Sequence, residues 1–384
     1  MIYLDNAATT KVSPEVKKEM DICYSKIYGN PSSLHNEGLK AKEQLEKART
    51  KIARIINCLS EEIIFTGGGT ESINLAIKGL AELHPKGHMI TSMIEHPAVL
   101  ETCRYLETKG YKVTYLKVNN GGLINLKDLE KAITNNTFLI TIMYANNEIG
   151  TIQNIKEISL IAKKNKILFH TDACQAGAYL NLNTKDLGID LMTLNSSKVN
   201  GPKGVGLLFK RKDIELVPLL HGGGQEFNLR SGTQNLAGIV GFAKALEIAQ
   251  KNRLKESQRL IKLRDHLIQG ILKKIPKSYL NGHPKQRLPN NVSITILDVE
   301  GESMLLYLNE KGICASTGSA CSSGSLEPSH VITAIGVSED AAHGSLRFTL
   351  GKETKKKDID YVLKELPKIV ENLRSISPVR LELK

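Results

Sequence analysis

The chain has 384 residues, enough for roughly two to three domains of about 150 residues each, and its 41% hydrophobic and 24% charged content excludes a disordered chain. No stretch reaches about 18 uninterrupted apolar residues, so no membrane partner is expected, and the opening MIYLDNAATTKV lacks the basic and apolar regions of a signal peptide, which makes a cytoplasmic location the expectation. The 52 basic and 40 acidic residues leave a net +12, but Lys and Glu interleave, aromatics are 5% and Trp is absent, so no direct nucleic-acid contact is expected.

Apolar runs of strand length alternate with helical patterns along the chain. EIIFTGG (62–68) reads as a strand, followed by a helix from Thr70 to about Leu83. HMITSMI (88–94) is a strand and Pro97 to Lys109 a helix. Strands at 112–118, 137–145 and 166–173 follow, with helices near 125–133 and 154–164. LMTLNSS (191–197) and GVGLLFKR (204–211) complete seven strands. Alternation of this kind predicts an α/β fold, a mostly parallel seven-stranded sheet covered by helices. From about Gln234 to Lys274 the pattern is helical, with a break expected near Lys251 to Glu256. A Pro- and Gly-marked turn (281–291), a strand (292–297), a helix (302–311), a strand (345–350) and a last helix (357–375) have α+β character. The division expected is a large domain of 15–250 and a smaller one of 1–14 with 251–384.

Ligands of open α/β sheets bind outside the carboxyl ends of the strands, and the informative residues fall there. GGGTES (67–72) leaves a strand and opens a helix, so Gly69 and Thr70 begin a turn whose free N–H groups suit a phosphate. HTDACQ (170–175) puts Asp172 at the end of an apolar strand, where a carboxylate caps a helix, binds a metal or holds a cationic ring nitrogen. LNSSKVNGPKGVG (194–206) puts Lys198 just past a strand, preceded by Asn195, Ser196 and Ser197. A lysine leaving a buried strand can become a nucleophilic amine. Phosphate cradle, carboxylate and lysine are what pyridoxal phosphate requires, and their order along the chain carries more than any one of them. His96 follows another strand end and could stack on an aromatic cofactor or move protons. Asn147 and Gln175 could donate to ring substituents, and Arg347 could grip a substrate carboxylate with two prongs. The six cysteines form no CxxC pair. Cys321 stands apart, within a run of Ser, Gly, Ala and Thr between Ala315 and Ser325, where an exposed thiol is a candidate nucleophile.

Together these motifs resemble the cysteine desulfurases, pyridoxal-phosphate enzymes of the class V aminotransferase fold (fold type I). The matching segments span nearly the whole chain: YLDNAATT (3–10), YGNPSSLH (28–35), TESINLAIKG (70–79), IEHPAVL (94–100), ANNEIGTIQ (145–153), HTDACQAG (170–177), GPKGVG (201–206), HGGGQE (221–226), LRSGTQN (229–235), GSACSSGSLEPSH (318–330) and LRFTLG (346–351). The resemblance implies that Lys198 bonds the cofactor, with Lys203 in GPKG as its competitor. It implies that Asp172 keeps the ring nitrogen protonated, that Gln175 and Asn147 serve the ring, and that His96 stacks on it. Gly69, Thr70, Asn195, Ser196 and Ser197 fall on the cofactor side, and Thr233 resembles a phosphate contact supplied by a second subunit, so a homodimer is implied. Arg347, helped by Asn30, resembles the substrate-carboxylate clamp, and Cys321 the thiol that becomes a persulfide. Sulfur acceptors implied are an iron–sulfur scaffold protein and tRNA-thiolation enzymes, with Cys321 as a transient iron–sulfur ligand.

One residue departs from the pattern. The family usually has His immediately before the cofactor lysine, and here Ser197 stands there. Serine donates a hydrogen bond but is no imidazole, so lower cofactor affinity or rate, and dependence on an activating partner, are expected. Selenocysteine lyase, another enzyme of the same fold, and a weakly active scaffold-binding paralogue stay open as alternatives.

Overall fold

The computed structural model describes residues 1–318, 327–377 and 380–381. In chain order its elements are β1 (Ile2–Tyr3), α1 (Pro14–Ser25), α2 (Asn36–Ile56), β2 (Ile63–Thr66), α3 (Gly69–Ala81), β3 (His88–Ser92), α4 (Pro97–Glu107), β4 (Lys112–Leu116), α5 (Leu126–Ala132), β5 (Thr137–Thr141), α6 (Ile155–Lys164), β6 (Leu168–Asp172), α7 (Thr184–Leu187), β7 (Leu191–Asn195), β8 (Gly206–Lys210) and α8 (Leu236–Lys274). They continue with β9 (Ser278–Leu280), β10 (Asn291–Ile296), α9 (Gly301–Glu310), β11 (Ile313–Cys314), α10 (His330–Ala334), α11 (Glu339–Ala342), β12 (Ser345–Thr349) and α12 (Lys356–Ile376).

Seven strands form one sheet in the order β2-β8-β7-β6-β5-β3-β4. All run parallel except β8, which is antiparallel to both β2 and β7. Strands buried on both faces read as continuous apolar runs, and IIFT, TFLIT and GLLFK are buried throughout. Register does the positioning. Asp172 pairs with Thr193, so the chains leaving β6 and β7 emerge side by side at the carboxyl ends. Strand order reverses between β3 and β5, the kind of switch point at which such sheets bind ligands.

The apolar core lies on both faces of this sheet. Phe169, Ile140, Met192 and Phe242 belong to one side, and Ile64, Leu75, Leu139 and Leu208 to the other. A separate core gathers Leu4, Leu267, Ile294, Phe348 and Leu366 around the antiparallel sheet β12-β10-β9. Full burial of one such side chain stabilises by roughly 1.5–3 kcal/mol.

The expected break in the long helix is absent: α8 runs unbroken for 39 residues. Its first half buries Ile239, Phe242 and Leu246, and its second half buries Leu260, Leu267 and Ile271 in the second core. The solvated stretch between holds neither Gly nor Pro, so exposure there ends the apolar stripe without ending the helix. None of the described helices is long and apolar enough to cross a membrane.

Candidate active site

The site starts at the helix following β2. Gly68 is the N-cap of α3 and brings no side-chain cap, which leaves the helix start bare. A Cβ on Gly206 would lie 2.6 Å from the Gly68 carbonyl carbon, so only glycine lets β8 pass this turn. Gly69 fits equally closely. A Cβ there would meet Cys174 Sγ at 3.0 Å and Asn195 Nδ2 at 3.5 Å. The bare helix start therefore rests on the chain leaving β6 and on the end of β7, with the Thr70 side chain exposed beside it.

Asp172 is buried at the end of β6, and its Oδ1 accepts from the Cys174 amide at 2.9 Å. Lys198 ends the short turn after β7. Its Nζ donates to the carbonyls of Ala7 (2.9 Å) and Ala8 (2.5 Å), and Gln175 Nε2 donates to the same Ala7 carbonyl at 3.0 Å. The N-terminal strand exit is thus the piece that brings Lys198 and Gln175 together. Thr10 fixes it in place, since its amide and hydroxyl both donate to the Ser197 carbonyl at 2.8 Å. Lys203 is exposed on the following turn.

His96 caps α4. Its Nδ1 accepts from the Ala98 amide at 3.0 Å, so the neutral ring carries its proton on Nε2. Burial lowers its pKa. The negative charge of Asp172 opposes that shift, and the positive charges of Lys198 and His330 add to it. Those three groups lie near enough to His96 for their charges to act on it. The Asn147 carbonyl accepts from Arg347 Nη1 at 3.2 Å, and Arg347 Nη2 pairs with Asp5 Oδ1 at 3.0 Å. Arg347 is buried and its Nε has no partner.

Other expected residues sit elsewhere or serve the backbone. The Ser196 hydroxyl is buried without a partner, and a Cβ on Gly201 would meet it at 2.2 Å, so it lies against that turn. The Ser197 hydroxyl donates to Asn195 Oδ1 at 3.3 Å, and the same oxygen accepts from the Ser197 amide. Asn30 lies on an exposed turn before α2, its Oδ1 engaged by the Ser32 amide. Thr233 is exposed on the loop before α8. Cys321, with its expected nucleophilic and iron–sulfur roles, lies outside the described residues.

Two buried carboxyls escape the sequence analysis. Glu148 accepts from the Ser329 hydroxyl (2.5 Å), and burial pushes its pKa up to about 7. Glu95 accepts from the Ser92 hydroxyl at 2.6 Å and from the Met143 amide at 3.0 Å, and burial pushes it up to about 8. The signal was a glutamate inside an otherwise apolar strand exit, directly before His96. Between its ordinary 4.5 and about 8, the folded protein keeps a proton on Glu95 that the unfolded chain has released, so this group's contribution to stability falls as pH rises through that window. Glu95→Gln, which is neutral at every pH, is expected to lose less stability than the parent between about pH 5 and pH 8.5, read as the denaturant midpoint at each pH.

A family model described as Aminotransferase class-V matches residues 2–362. A cysteine desulfurase IscS from Dictyoglomus turgidum is 51% identical over 385 residues, spanning 100% of this chain and 98% of that protein. Among solved structures, a NifS-like protein superposes with a TM-score of 0.91 at 40% identity, over 97% of this chain and 99% of the other. A structure of SspA in complex with cysteine superposes with a TM-score of 0.80 at 40% identity, over 91% and 99%. The sheet, the site at its carboxyl ends and the matched model together define a class V aminotransferase fold. Within that class, the chain belongs to the cysteine desulfurase family.

Proposed function

We propose that the chain takes sulfur from L-cysteine, releases L-alanine, and uses pyridoxal 5′-phosphate as its cofactor. The reading rests on one convergence: an amine, a buried carboxylate and an imidazole meet beside an uncapped helix start. The residues fit the cofactor. Lys198 would hold it covalently, Asp172 would pair with its ring nitrogen, and Gln175 and Asn147 would serve its ring substituents. His96 would stack on the ring, and the start of α3 at Gly69 and Thr70, with Asn195 and Ser197 alongside, would take the phosphate. Thr233 would reach the phosphate of a second copy, in keeping with its exposed position. When bound, the cofactor supplies an electron sink for charge developing at the substrate's α-carbon.

The chain's own residues do the rest. Arg347 Nε, buried without a partner, marks where a substrate carboxylate would be received. Lys198 Nζ moves the α-proton. The Cys321 thiolate takes the sulfur, forming an S–S bond as the substrate's Cβ–S bond breaks. Cysteine plus one protein thiol gives alanine plus one persulfide, so the exchange balances without an external oxidant. We further propose a cytoplasmic homodimer whose acceptors are an iron–sulfur scaffold protein and tRNA-thiolation enzymes, and two units divided as 15–250 and 1–14 with 251–384.

The test is an absorbance spectrum followed by turnover. An absorbance band of the bound cofactor that the chain alone lacks, and equimolar alanine and sulfide from L-cysteine with a reductant, are expected. A colourless protein, inactive after addition of pyridoxal phosphate, would make this a scaffold-binding relative with a degenerate site at Ser197.

A further inference from the structure

The loop between β8 and α8 holds a feature that the proposed chemistry does not use. Glu226, Phe227 and Asn228 take φ of 49°, 57° and 64°, three successive non-glycine residues in the left-handed region. Asparagine tolerates it, but glutamate and phenylalanine pay a steric penalty there, so the turn persists only where its surroundings over-determine it.

The surroundings do so through one buried ion pair. Arg49 of α2 reaches Glu226 with both terminal nitrogens, Nη1 to Oε2 at 2.8 Å and Nη2 to Oε1 at 2.9 Å, and the two side chains are 3% and 1% exposed. The Phe65 amide of β2 donates to Oε2 at 2.9 Å, and Gln234 Nε2 to Oε1 at 3.3 Å. The guanidinium lies 4.8 Å from the Phe65 ring and 5.0 Å from the Phe227 ring, so Phe227 is held although half exposed. Glu226 thereby grips both ends of the segment, the turn itself and Gln234 beside Thr233. Arg230 adds a tie to Glu71, in the first turn of α3, at 2.8 Å.

We propose that Arg49 and Glu226 are positioning residues: they lock the left-handed turn so that Thr233 is presented outward in one fixed place to a second copy of this chain. The inference rests on the reading of Thr233 as a phosphate contact across the dimer. A fixed arm binds better than a loose one because the ordering is already done in the free protein.

The experiment is a titration of pyridoxal phosphate into cofactor-depleted protein, followed by absorbance, with melting temperature measured alongside. Glu226→Gln is one variant. Since it leaves the buried Arg49 with only Glu46, which is 47% exposed, as counter-charge, the double variant Arg49→Met with Glu226→Leu, which removes both charges of the pair, is the second. Each is made alone and with Thr233→Ala. Thr233→Ala is expected to weaken cofactor binding about tenfold, the scale of one lost hydrogen bond to a charged group. The turn variants are expected to weaken it by a similar factor alone and to add nothing once Thr233 is gone. Turn variants that leave binding unchanged, or whose effect adds in full to that of Thr233→Ala, overturn the proposal while leaving Thr233 as a phosphate contact. Unchanged binding in Thr233→Ala alone removes the reading beneath it and the proposal with it.

Discussion

Lys198→Ala is expected to fold normally and to form alanine from L-cysteine roughly 10³-fold more slowly than the parent. Lys198 is half-buried, and its Nζ rests on the carbonyls of Ala7 and Ala8, one of which Gln175 also holds. Removing the amine leaves the Ala7 carbonyl partnered and the Thr10–Ser197 hydrogen bonds in place, so the N-terminal strand exit has no reason to move. What is lost is chemical: the amine whose charge, like that of Asp172, acts on His96. Lys203→Ala is the comparison. That side chain is exposed on its turn, and its loss is expected to leave turnover close to the parent's. Alanine release followed by amino-acid chromatography, with melting temperature as the check on folding, separates the two. Near-normal turnover in Lys198→Ala would remove it from the chemistry, and a collapse in Lys203→Ala would transfer the role to the turn.

The sheet was legible because buried parallel strands write themselves as apolar runs. All seven were found, overextended at their ends, since residues such as Ile142 to Ala145 stay buried after β5 has ended. The first two long helices are not legible in the same way. In α2 the charges of KEQLEKARTKIARI mask a stripe at Ala41, Leu45, Ala48, Ile52 and Ile56, which a helical period would have revealed. The two-residue strands β1 and β11 carry no periodicity, and they pair only because the chain folds back over more than 300 residues. The site shows the same division. Asp172, His96 and Lys198 stand at strand exits, where sequence position alone makes them candidates. The carbonyls of Ala7 and Ala8 that gather Lys198 and Gln175 are backbone groups, which no residue type announces. In sequence Arg347 reads as a clamp, but its standing partner Asp5 lies at the opposite end of the chain and emerges only from the fold.

Cys321→Ser is expected to abolish sulfur transfer, and Cys174→Ser to preserve it. The contrast matters because Cys174 is the thiol that the structure places in the pocket, against Gly69 and two residues past Asp172. Proximity does not make it a nucleophile. Burial pushes its pKa well above the usual thiol value, and the neighbouring Asp172 carboxylate pushes it further, so it stays protonated. Burial likewise raises the pKa of Cys23 and holds Cys58 and Cys103 up at about 12. Cys314 sits in the β1–β11 pair, in register with Tyr3. The remaining candidate is Cys321, the cysteine whose neighbours in sequence are small and polar. After L-cysteine is added without reductant, mass spectrometry should show one extra sulfur on the parent and on Cys174→Ser, and none on Cys321→Ser. Sulfide release with reductant should fall by about 10³-fold or more in Cys321→Ser and stay within about tenfold in Cys174→Ser. The reverse pattern would mean that the pocket ionises a thiol against both burial and a carboxylate. A cation held against Cys174 would then be required, and Lys198, whose charge already favours the thiolate there, is the group that would have to supply it.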